Sequence, residues 1–323
     1  MELYAYKFEP IFKDYIWGGR KLGEIFNKPI PENTITAESW ELADQAEGRS
    51  VIANGPLAGK TLNDVIKTYP KTVTGTDKPL ESFPLLIKLL DAQSVLSVQV
   101  HPDAQTCRRM ETGSPKTECW YIIDAPADGY IYKGLKPGTT REQFKDAINN
   151  GTCEDCLVKV PVKIGECHFL PSGTVHAIGP NLVIAEIQQP SNTTYRVFDW
   201  NRVDKRTGEP RQLHVEEAIE STKFDLDESV LTVRSEGRLV DADEFKVDKI
   251  DLGPGDDQYT MAGELEIYVI ISGSGKAAAY GSDTAETEFT KGDTLFIPAE
   301  MTGALTAAED TQMLRITLPD IIK

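Results

Sequence analysis

The chain has 323 residues and a formal net charge of −17 at pH 7, with 40% hydrophobic and 26% charged residues. This composition is typical of folded globular proteins and excludes a largely disordered chain. The strong negative charge argues against nucleic acid and anionic membranes as partners, and it requires any anionic ligand to be held by a local group of cations. No apolar run approaches the roughly 20 residues that cross a bilayer. The first residues lack the basic and apolar segments of a signal peptide. From these two observations we expect a cytoplasmic protein.

Most of the chain is predicted to form short β-strands separated by turns rich in glycine, proline, asparagine and aspartate. In chain order, the clearest strands are Leu96–His101, Glu118–Ile123, Cys167–Pro171, Leu182–Gln188, Glu264–Ile271 and Thr294–Pro298. The predicted helices are Leu62–Thr68 (capped by Thr61), Thr140–Asn149 (capped by Thr139 or Thr140) and Val215–Ser221. Many strands and few helices predict a mainly β fold, a sandwich or jelly roll with a few short helical inserts.

Polar side chains alternate with valines in the strand around residue 99. Ser97, Gln99 and His101 fall on one face of this strand, and Val98 and Val100 fall on the other. Three polar side chains that point together are costly to bury unless they bind something. A lone strand histidine is more often structural, so a functional role for His101 depends on partners elsewhere in the chain.

Two further side chains provide such partners. Glu118 begins the next strand, and His176 follows a Pro-Ser-Gly turn that can aim it at the same point. Two imidazoles, a carboxylate and an amide oxygen form a mixed donor set that suits Zn²⁺ and leaves room for water or substrate, and Fe²⁺, Mn²⁺ and Co²⁺ also accept such ligands. Of the other two histidines, we interpret His168 as structural and His214 as a helix-start or surface residue.

The five cysteines are expected to be reduced thiols, because an odd number in a large chain without an export signal does not form a disulfide framework. Cys153 and Cys156 form a C-x-x-C motif, but no second pair of cysteines or histidines stands at zinc-finger spacing. We therefore interpret them as incidental thiols near a helix end.

A short internal repeat predicts two consecutive barrels. Residues 165–171, Gly-Glu-Cys-His-Phe-Leu-Pro, recur 127 residues later as Gly-Asp-Thr-Leu-Phe-Ile-Pro at 292–298. Residues 271–276 also look like the glycine turn of a cupin barrel. His176 follows the first copy by five residues, whereas Gly303 holds that position after the second. We therefore predict a catalytic, metal-binding domain at 1–235 and a degenerate cupin domain without a metal site at 236–323.

Several longer stretches resemble type I mannose-6-phosphate isomerases, in the short bacterial form of that family. The matching stretches are 83–88, 96–103, 116–121, 162–179 and 186–199. The resemblance implies a double cupin with one Zn²⁺ per chain, held by Gln99, His101, Glu118 and His176. It implies catalytic roles for Arg196 and Lys116, and phosphate contacts from Lys88 and Ser97. It also implies that Trp17 and Glu38 line the substrate pocket. Asn192 departs from the family pattern, because longer members carry aspartate there.

The function implied by the resemblance is the interconversion of mannose 6-phosphate and fructose 6-phosphate through a cis-enediol, with a small sugar phosphate as the partner. Two alternatives stay open. One is a different metal-cupin enzyme, either a sugar-phosphate isomerase of other specificity or a dioxygenase, against which Gln99 as a fourth ligand argues. The other is a non-catalytic sugar-phosphate sensor, which would be expected to have lost Arg196 or a metal ligand. The sequence assigns no oligomeric state.

Three of these residues also have structural interpretations. Arg196 can pair with Asp199 across a turn, and Trp17 can act only as a packed loop anchor. Lys88 can point to solvent, although its apolar neighbours favour an inward, partnered lysine.

Overall fold

Strands dominate the computed structural model, which describes residues 3–203, 208–226, 231–281 and 286–319. The strands are β1 (Tyr6–Lys7), β2 (Ile11–Lys13), β3 (Glu38–Leu42), β4 (Asp44–Gln45), β5 (Gly48–Arg49), β6 (Leu86–Ala92), β7 (Val98–Val100), β8 (Glu118–Asp124), β9 (Tyr130–Leu135), β10 (Leu157–Pro161), β11 (Cys167–Leu170), β12 (His176–Ile178), β13 (Leu182–Gln188), β14 (Tyr195–Phe198), β15 (Val233–Arg234), β16 (Arg238–Asp241), β17 (Lys246–Leu252), β18 (Asp257–Tyr259), β19 (Glu266–Ser272), β20 (Ser274–Ala279), β21 (Glu286–Thr290), β22 (Thr294–Ile297), β23 (Gly303–Ala307) and β24 (Thr311–Thr317). The mainly β prediction is confirmed.

Six short α-helices and two 3₁₀ turns connect the strands in the described part of the chain. They are α1 (Lys21–Phe26), α2 (Leu62–Thr68), α3 (Pro70–Thr74), α4 (Ala104–Met110), α5 (Arg141–Asn149) and α6 (Val215–Ser221), with the 3₁₀ turns at Gly55–Leu57 and Cys153–Cys156. The predicted caps are present: Thr61 accepts from the Asp64 amide, and Thr140 forms a capping box with Gln143. None of the described helices is long and apolar enough to cross a bilayer.

The strands form two sandwiches, one after the other. The first has a seven-stranded sheet, in the order β15-β11-β8-β13-β6-β3-β2, and a five-stranded sheet, β10-β9-β12-β7-β14. The second has a six-stranded sheet, β1-β22-β19-β24-β17-β16, and a four-stranded sheet, β18-β23-β20-β21. The short β4-β5 ribbon stands apart. Since β1 pairs with β22, the start of the chain hydrogen-bonds to the second sandwich, with Tyr6 opposite Phe296. The division of domains at residues 235 and 236 stays a prediction.

Alternation along the strands of the first sandwich separates three apolar layers, one inside it and one on each outer face. Inside the first sandwich, Leu90, Trp120 and Ile184 of the large sheet pack against Ile131 and Ile178 of the small sheet. A second cluster joins the outer face of the seven-stranded sheet to the six-stranded sheet, with members such as Leu89, Tyr121, Ile267 and Phe296. A third covers the outer face of the five-stranded sheet with α5 and α6. Both outer faces of the first sandwich are therefore covered by packed side chains, and this packing makes the two sheets rigid.

The internal repeat occupies equivalent places in the two sandwiches. Gly165 and Gly292 both adopt a left-handed backbone, with φ of 90° and 88°, two residues before β11 and β22. His176 begins β12, and Gly303 begins β23. A Cβ atom at residue 303 would lie 2.0 Å from the carbonyl oxygen of Ala278, so this position has no room for a side chain. The second sandwich thus excludes an imidazole at the place where the first presents His176.

A lysine is buried inside the first sandwich without a partner. Lys133 lies on β9, is fully buried, and its Nζ has no hydrogen-bond partner among the described residues. Burial lowers the pKa of Lys133 from 10.5 to about 8. A difference of this size corresponds to about 3 kcal/mol of lost stability below pH 8, where the folded and unfolded chains both carry the charge.

We expect Lys133→Met to stabilise the protein by about 2–3 kcal/mol near pH 7. Between pH 8 and pH 10.5 the unfolded chain binds more protons at this lysine than the folded chain does. The stability of the unsubstituted protein should therefore rise through this window, and the rise should be absent from the variant. Urea unfolding across that pH range measures both effects, with the exposed Lys67→Met as the control. An unchanged or lower stability of Lys133→Met near pH 7 would contradict the assignment of an unpaired charge.

Candidate active site

The alternation of three neighbouring strands directs polar side chains into the first sandwich. Val98, Val100, Ala177 and Val197 pack in the outer cluster under α5 and α6, so the side chains between them face inward. The inward-facing side chains are Gln99 on β7, His176 on β12 and Arg196 on β14. Gln99 is the register partner of both of the other two residues. The predicted face of the strand around residue 99 is therefore confirmed, although β7 ends at Val100, one residue before His101.

The structure brings His101, Glu118 and His176 into one buried cluster. Their ligand atoms lie within 4.8 Å of one another, and none of the three residues is more than 2% exposed. The Glu118 carboxylate is 3.6 Å from Nε2 of His101 and 3.3 Å from Nε2 of His176. The Gln99 side-chain amide also lies 3.3 Å from His176 Nε2. Three of the four predicted metal ligands thus converge on one point, and Gln99 lies beside them.

Backbone carbonyls fix the orientation of both imidazoles. His101 Nδ1 lies 2.8 Å from the carbonyl oxygen of Thr193, and His176 Nδ1 lies 2.8 Å from that of Thr174. A carbonyl only accepts, so each Nδ1 must carry the proton and donate it. Each Nε2 therefore presents a lone pair to the cluster, which is the arrangement found in metal-binding histidines.

The electrostatics of the cluster keep its histidines neutral and its carboxylate charged. Burial lowers the pKa of His101, with help from the Lys116 ammonium, and burial lowers the pKa of His176 to about 3. Burial also acts to raise the pKa of Glu118, but Lys116 and His101 outweigh it and hold that pKa well below its usual range. Neutral imidazoles and an ionised carboxylate are the forms in which these side chains bind metals.

The unsatisfied atoms of the cluster match a bound cation. His101 Nε2 and Glu118 Oε1 are buried and have no hydrogen-bond partner among the described residues. Two imidazole lone pairs and a carboxylate that point at one another are unfavourable unless a positive charge lies between them. Their chemistry and convergence fit a divalent metal ion. In the described part of the chain, no other three histidine, cysteine or acidic side chains bring their ligand atoms close enough together to hold a metal ion.

A cavity of about 460 Å³ opens beside the cluster. Its lining includes the remaining residues predicted for the site: Trp17, Glu38, Lys88, Ser97, Lys116 and Arg196, together with Gln99. Trp17 is 5% exposed, packs in the interior core and stacks on Tyr15 with 5.7 Å between ring centres. It is therefore both a packed anchor and a wall of the cavity. The sequence prediction had combined residues from seven separate segments, and the structure brings all of them together.

Alternating charges line the cavity wall that is formed by the seven-stranded sheet. Lys88 Nζ lies 3.0 Å from Glu186 and 3.5 Å from Glu38, so it is the inward, partnered lysine that its apolar neighbours favoured. Lys116 Nζ lies 2.6 Å from Glu118 and 3.8 Å from Glu186. Burial acts to lower the pKa of Lys88, but Glu186 and Glu38 outweigh it and raise that pKa. The wall therefore carries fixed, mutually compensating charges.

Two indole groups fix the carboxylates of this wall. Trp40 Nε1 donates to Glu38 at 2.7 Å, and Trp120 Nε1 donates to Glu186 at 2.9 Å. Glu186 received no role in the sequence analysis, although it stands inside the apolar strand β13, between Ile184 and Gln188 on the inward face. A carboxylate inside an otherwise apolar strand is the sequence signal that could have identified Glu186 as a site residue. The cavity also includes Asn192, the residue that departs from the family pattern, and Arg211, which the sequence analysis did not single out.

The structural interpretation of Arg196 was wrong. The Asp199 carboxylate accepts hydrogen bonds from Arg202 and Arg211, and not from Arg196. The Arg196 guanidinium instead contacts Ser97 Oγ at 3.3 Å and the carbonyl oxygen of Gln212 at 2.8 Å. It therefore has no carboxylate partner among the described residues and faces the cavity beside Gln99.

The other predicted side chains lie outside the cluster. His168 is fully buried on β11, and His214 immediately precedes α6, where its Nδ1 accepts from the Arg196 amide. All five cysteines are free, with Cys153 and Cys156 at the two ends of a 3₁₀ turn.

Comparisons with known proteins agree with this geometry. A family model for the catalytic domain of type I phosphomannose isomerases matches residues 5–124. The chain is 45% identical over 213 residues to the probable mannose-6-phosphate isomerase GmuF of Bacillus subtilis, covering 66% of each protein. It is 42% identical over 214 residues to mannose-6-phosphate isomerase ManA of the same species, again covering 66% of each. The crystal structure of a Bacillus subtilis mannose 6-phosphate isomerase superimposes with a TM-score of 0.85 at 30% identity, covering 97% of this chain and 99% of that one.

Proposed function

This chain belongs to the type I phosphomannose isomerase family, and on that premise we propose that it interconverts mannose 6-phosphate and fructose 6-phosphate. The observation that carries the proposal is the buried His101–Glu118–His176 cluster beside a polar cavity of about 460 Å³. A cavity of this size accommodates a hexose phosphate, and its walls present the charged groups that such a substrate requires.

We propose Zn²⁺ as the metal, one ion per chain, with Gln99, His101, Glu118 and His176 as its ligands. When bound, zinc supplies Lewis-acid polarisation of the substrate's carbonyl and hydroxyl oxygens. The side chains of the cavity perform the remaining tasks of an aldose–ketose isomerisation. These tasks are to stabilise the negative charge of the cis-enediolate and to move one proton between C2 and C1 of the sugar.

Arg196 and Lys116 are the proposed catalytic residues. Because Arg196 lies beside Gln99 and has no carboxylate partner among the described residues, its guanidinium is available to the developing enediolate. Lys116 is 5% exposed and lines the cavity, and as an ammonium 2.6 Å from Glu118 it can donate a hydrogen bond to a sugar oxygen on which negative charge develops. The proton moves between C2 and C1 through a group in its basic form, for which Lys116 as the neutral amine and the Glu118 carboxylate are the two candidates. The group that takes the proton returns it, so the reaction leaves the enzyme unchanged.

Trp17, Glu38, Lys88 and Ser97 are the proposed substrate contacts. Trp17 offers an aromatic surface to the sugar, and Glu38 holds Lys88 from one side. Lys88 and Ser97 as phosphate contacts stay a prediction. The positive charge of Lys88 is shared with two carboxylates, so a phosphate dianion requires additional cations in this cavity.

A coupled assay for fructose 6-phosphate formation tests the function, run with and without a chelator and accompanied by metal analysis. We expect isomerase activity that the chelator abolishes and that added Zn²⁺ restores. Full activity in protein shown to be free of metal would overturn the proposed metal dependence, and absence of activity in the zinc-loaded protein would overturn the proposed reaction.

A further inference from the structure

Three arginines lie near one another beside the cavity, and two of them bind the same carboxylate. Arg211 donates through Nε and Nη2 to the two oxygens of Asp199, at 2.7 and 2.6 Å. Arg202 donates to the same carboxylate at 2.5 Å. Arg196 contacts only the uncharged oxygens of Ser97 and Gln212. Among the described residues, this group therefore has two positive charges in excess, in a chain whose net charge is −17.

The arginines differ in their relation to the cavity. Arg196 and Arg211 line it, together with Ser97. Arg202 is absent from the lining and donates to the backbone carbonyl of Val95 at 2.5 Å. Arg196 is the register partner of Gln99 and so lies at the metal end, whereas Arg211 follows β14 in a separate segment.

The two facing walls of the cavity differ in charge: lysines balance the carboxylates on one wall, and the other wall carries guanidinium charge in excess. The arginines belong to β14, on the five-stranded sheet, and to the segment that follows it. The wall of the seven-stranded sheet presents Glu38 and Glu186, and its Lys88 is already paired with both. A phosphate dianion is repelled by carboxylates and attracted by surplus guanidinium charge, so the cavity orients it towards the arginines.

Asp199 holds the Arg211 guanidinium in a fixed orientation in which it can bind a phosphate. Its two hydrogen bonds to Asp199 fix the guanidinium plane and leave Nη1 without a partner among the described residues. Asp199 itself is only 6% exposed. Burial acts to raise the pKa of Asp199, but hydrogen bonds from Arg211 and Arg202 hold it below its usual value, so the carboxylate stays ionised. A guanidinium fixed in this way loses little freedom when it binds an anion.

We infer that Arg211 is the residue by which this enzyme recognises the phosphate of its substrate, with Asp199 as its positioning residue. Arg196 remains at the reacting end of the sugar. The inference rests on the proposed function, because it assigns the phosphate end of that same substrate.

The test compares Arg211→Met with Arg202→Met. Both substitutions remove a guanidinium from Asp199, but only the first removes one from the cavity. For Arg211→Met we expect the preference for mannose 6-phosphate over unphosphorylated mannose, as a ratio of kcat/KM, to fall by roughly 10- to 100-fold, mainly through KM. Inorganic phosphate should also inhibit this variant less. Arg211→Lys should recover part of the preference, and Arg202→Met should change it by less than about threefold.

Three outcomes would overturn the inference. Equal losses on both substrates in Arg211→Met would place Arg211 in folding or chemistry. Equal effects of Arg202→Met and Arg211→Met would show that the substrate preference depends on the hydrogen bonds to Asp199 and not on a phosphate contact of Arg211. A selective loss in Lys88→Met with none in Arg211→Met would place the phosphate at Lys88. Calorimetric binding of mannose 6-phosphate to the same variants decides the question even if the proposed reaction fails.

Discussion

Replacing either His101 or His176 by alanine is expected to abolish both metal binding and isomerase activity. Each imidazole presents a lone pair on Nε2 because a backbone carbonyl holds its Nδ1 proton. Alanine removes one of the nitrogen ligands that would hold the metal beside the fully buried Glu118 carboxylate. No nearby side chain replaces the donor, since the described residues contain no further histidine or cysteine in the cluster. Zinc content should fall from about one ion per chain to near zero.

Metal analysis of the purified variants measures this effect alongside the coupled assay. His168→Ala and His214→Ala are the matched controls, because both remove an imidazole of the same chain that lies outside the cluster. Both should keep their metal. Circular dichroism separates loss of metal from loss of fold. Full zinc occupancy in the double variant His101→Ala/His176→Ala would show that the ion is held elsewhere.

The fold was predictable from sequence where local signals are strong. Thr61 and Thr140 mark the helix starts that the structure shows, and the strand Leu182–Gln188 was predicted with its observed bounds. The strand around residue 99 was predicted too long, as Leu96–His101, because apolar alternation continues beyond the residues that find ladder partners. Helix α4 (Ala104–Met110) was missed because it has no apolar face: of its seven residues only Thr106 is buried.

The candidate site was predictable as a set of side chains and not as a set of contacts. Alternation with Val98 and Val100 indicated that Gln99 points inward, and that inference needs no knowledge of the fold. The pairing of Lys88 with Glu38 and Glu186 depends on the order β13-β6-β3 in the sheet, which brings together residues 50 and 98 positions apart. The preference of Asp199 for Arg211 over Arg196 likewise follows from a chain path that local sequence does not specify.

Replacing Arg196 by alanine is expected to lower kcat by about 10²–10³-fold, the loss that follows removal of one preorganised transition-state donor. The guanidinium lies in register with Gln99, is oriented by Ser97 Oγ and the Gln212 carbonyl, and has no carboxylate partner among the described residues that would neutralise it. Its charge is therefore available when negative charge develops on the sugar oxygens. Because that charge is absent from the bound substrate, KM should change less than kcat.

The measurements that separate a catalytic role from a structural one are steady-state kinetics, zinc content and unfolding of the same Arg196→Ala protein. Zinc content should stay near that of the unsubstituted enzyme, because Arg196 hydrogen-bonds to Ser97, Gln212 and His214 and to none of the three clustered ligands. Arg202→Ala is the control, since it removes an arginine that does not line the cavity. An unchanged kcat in Arg196→Ala would show that the guanidinium only braces Ser97 and Gln212. Pairing with Asp199 would not explain that result, because Asp199 already binds Arg202 and Arg211.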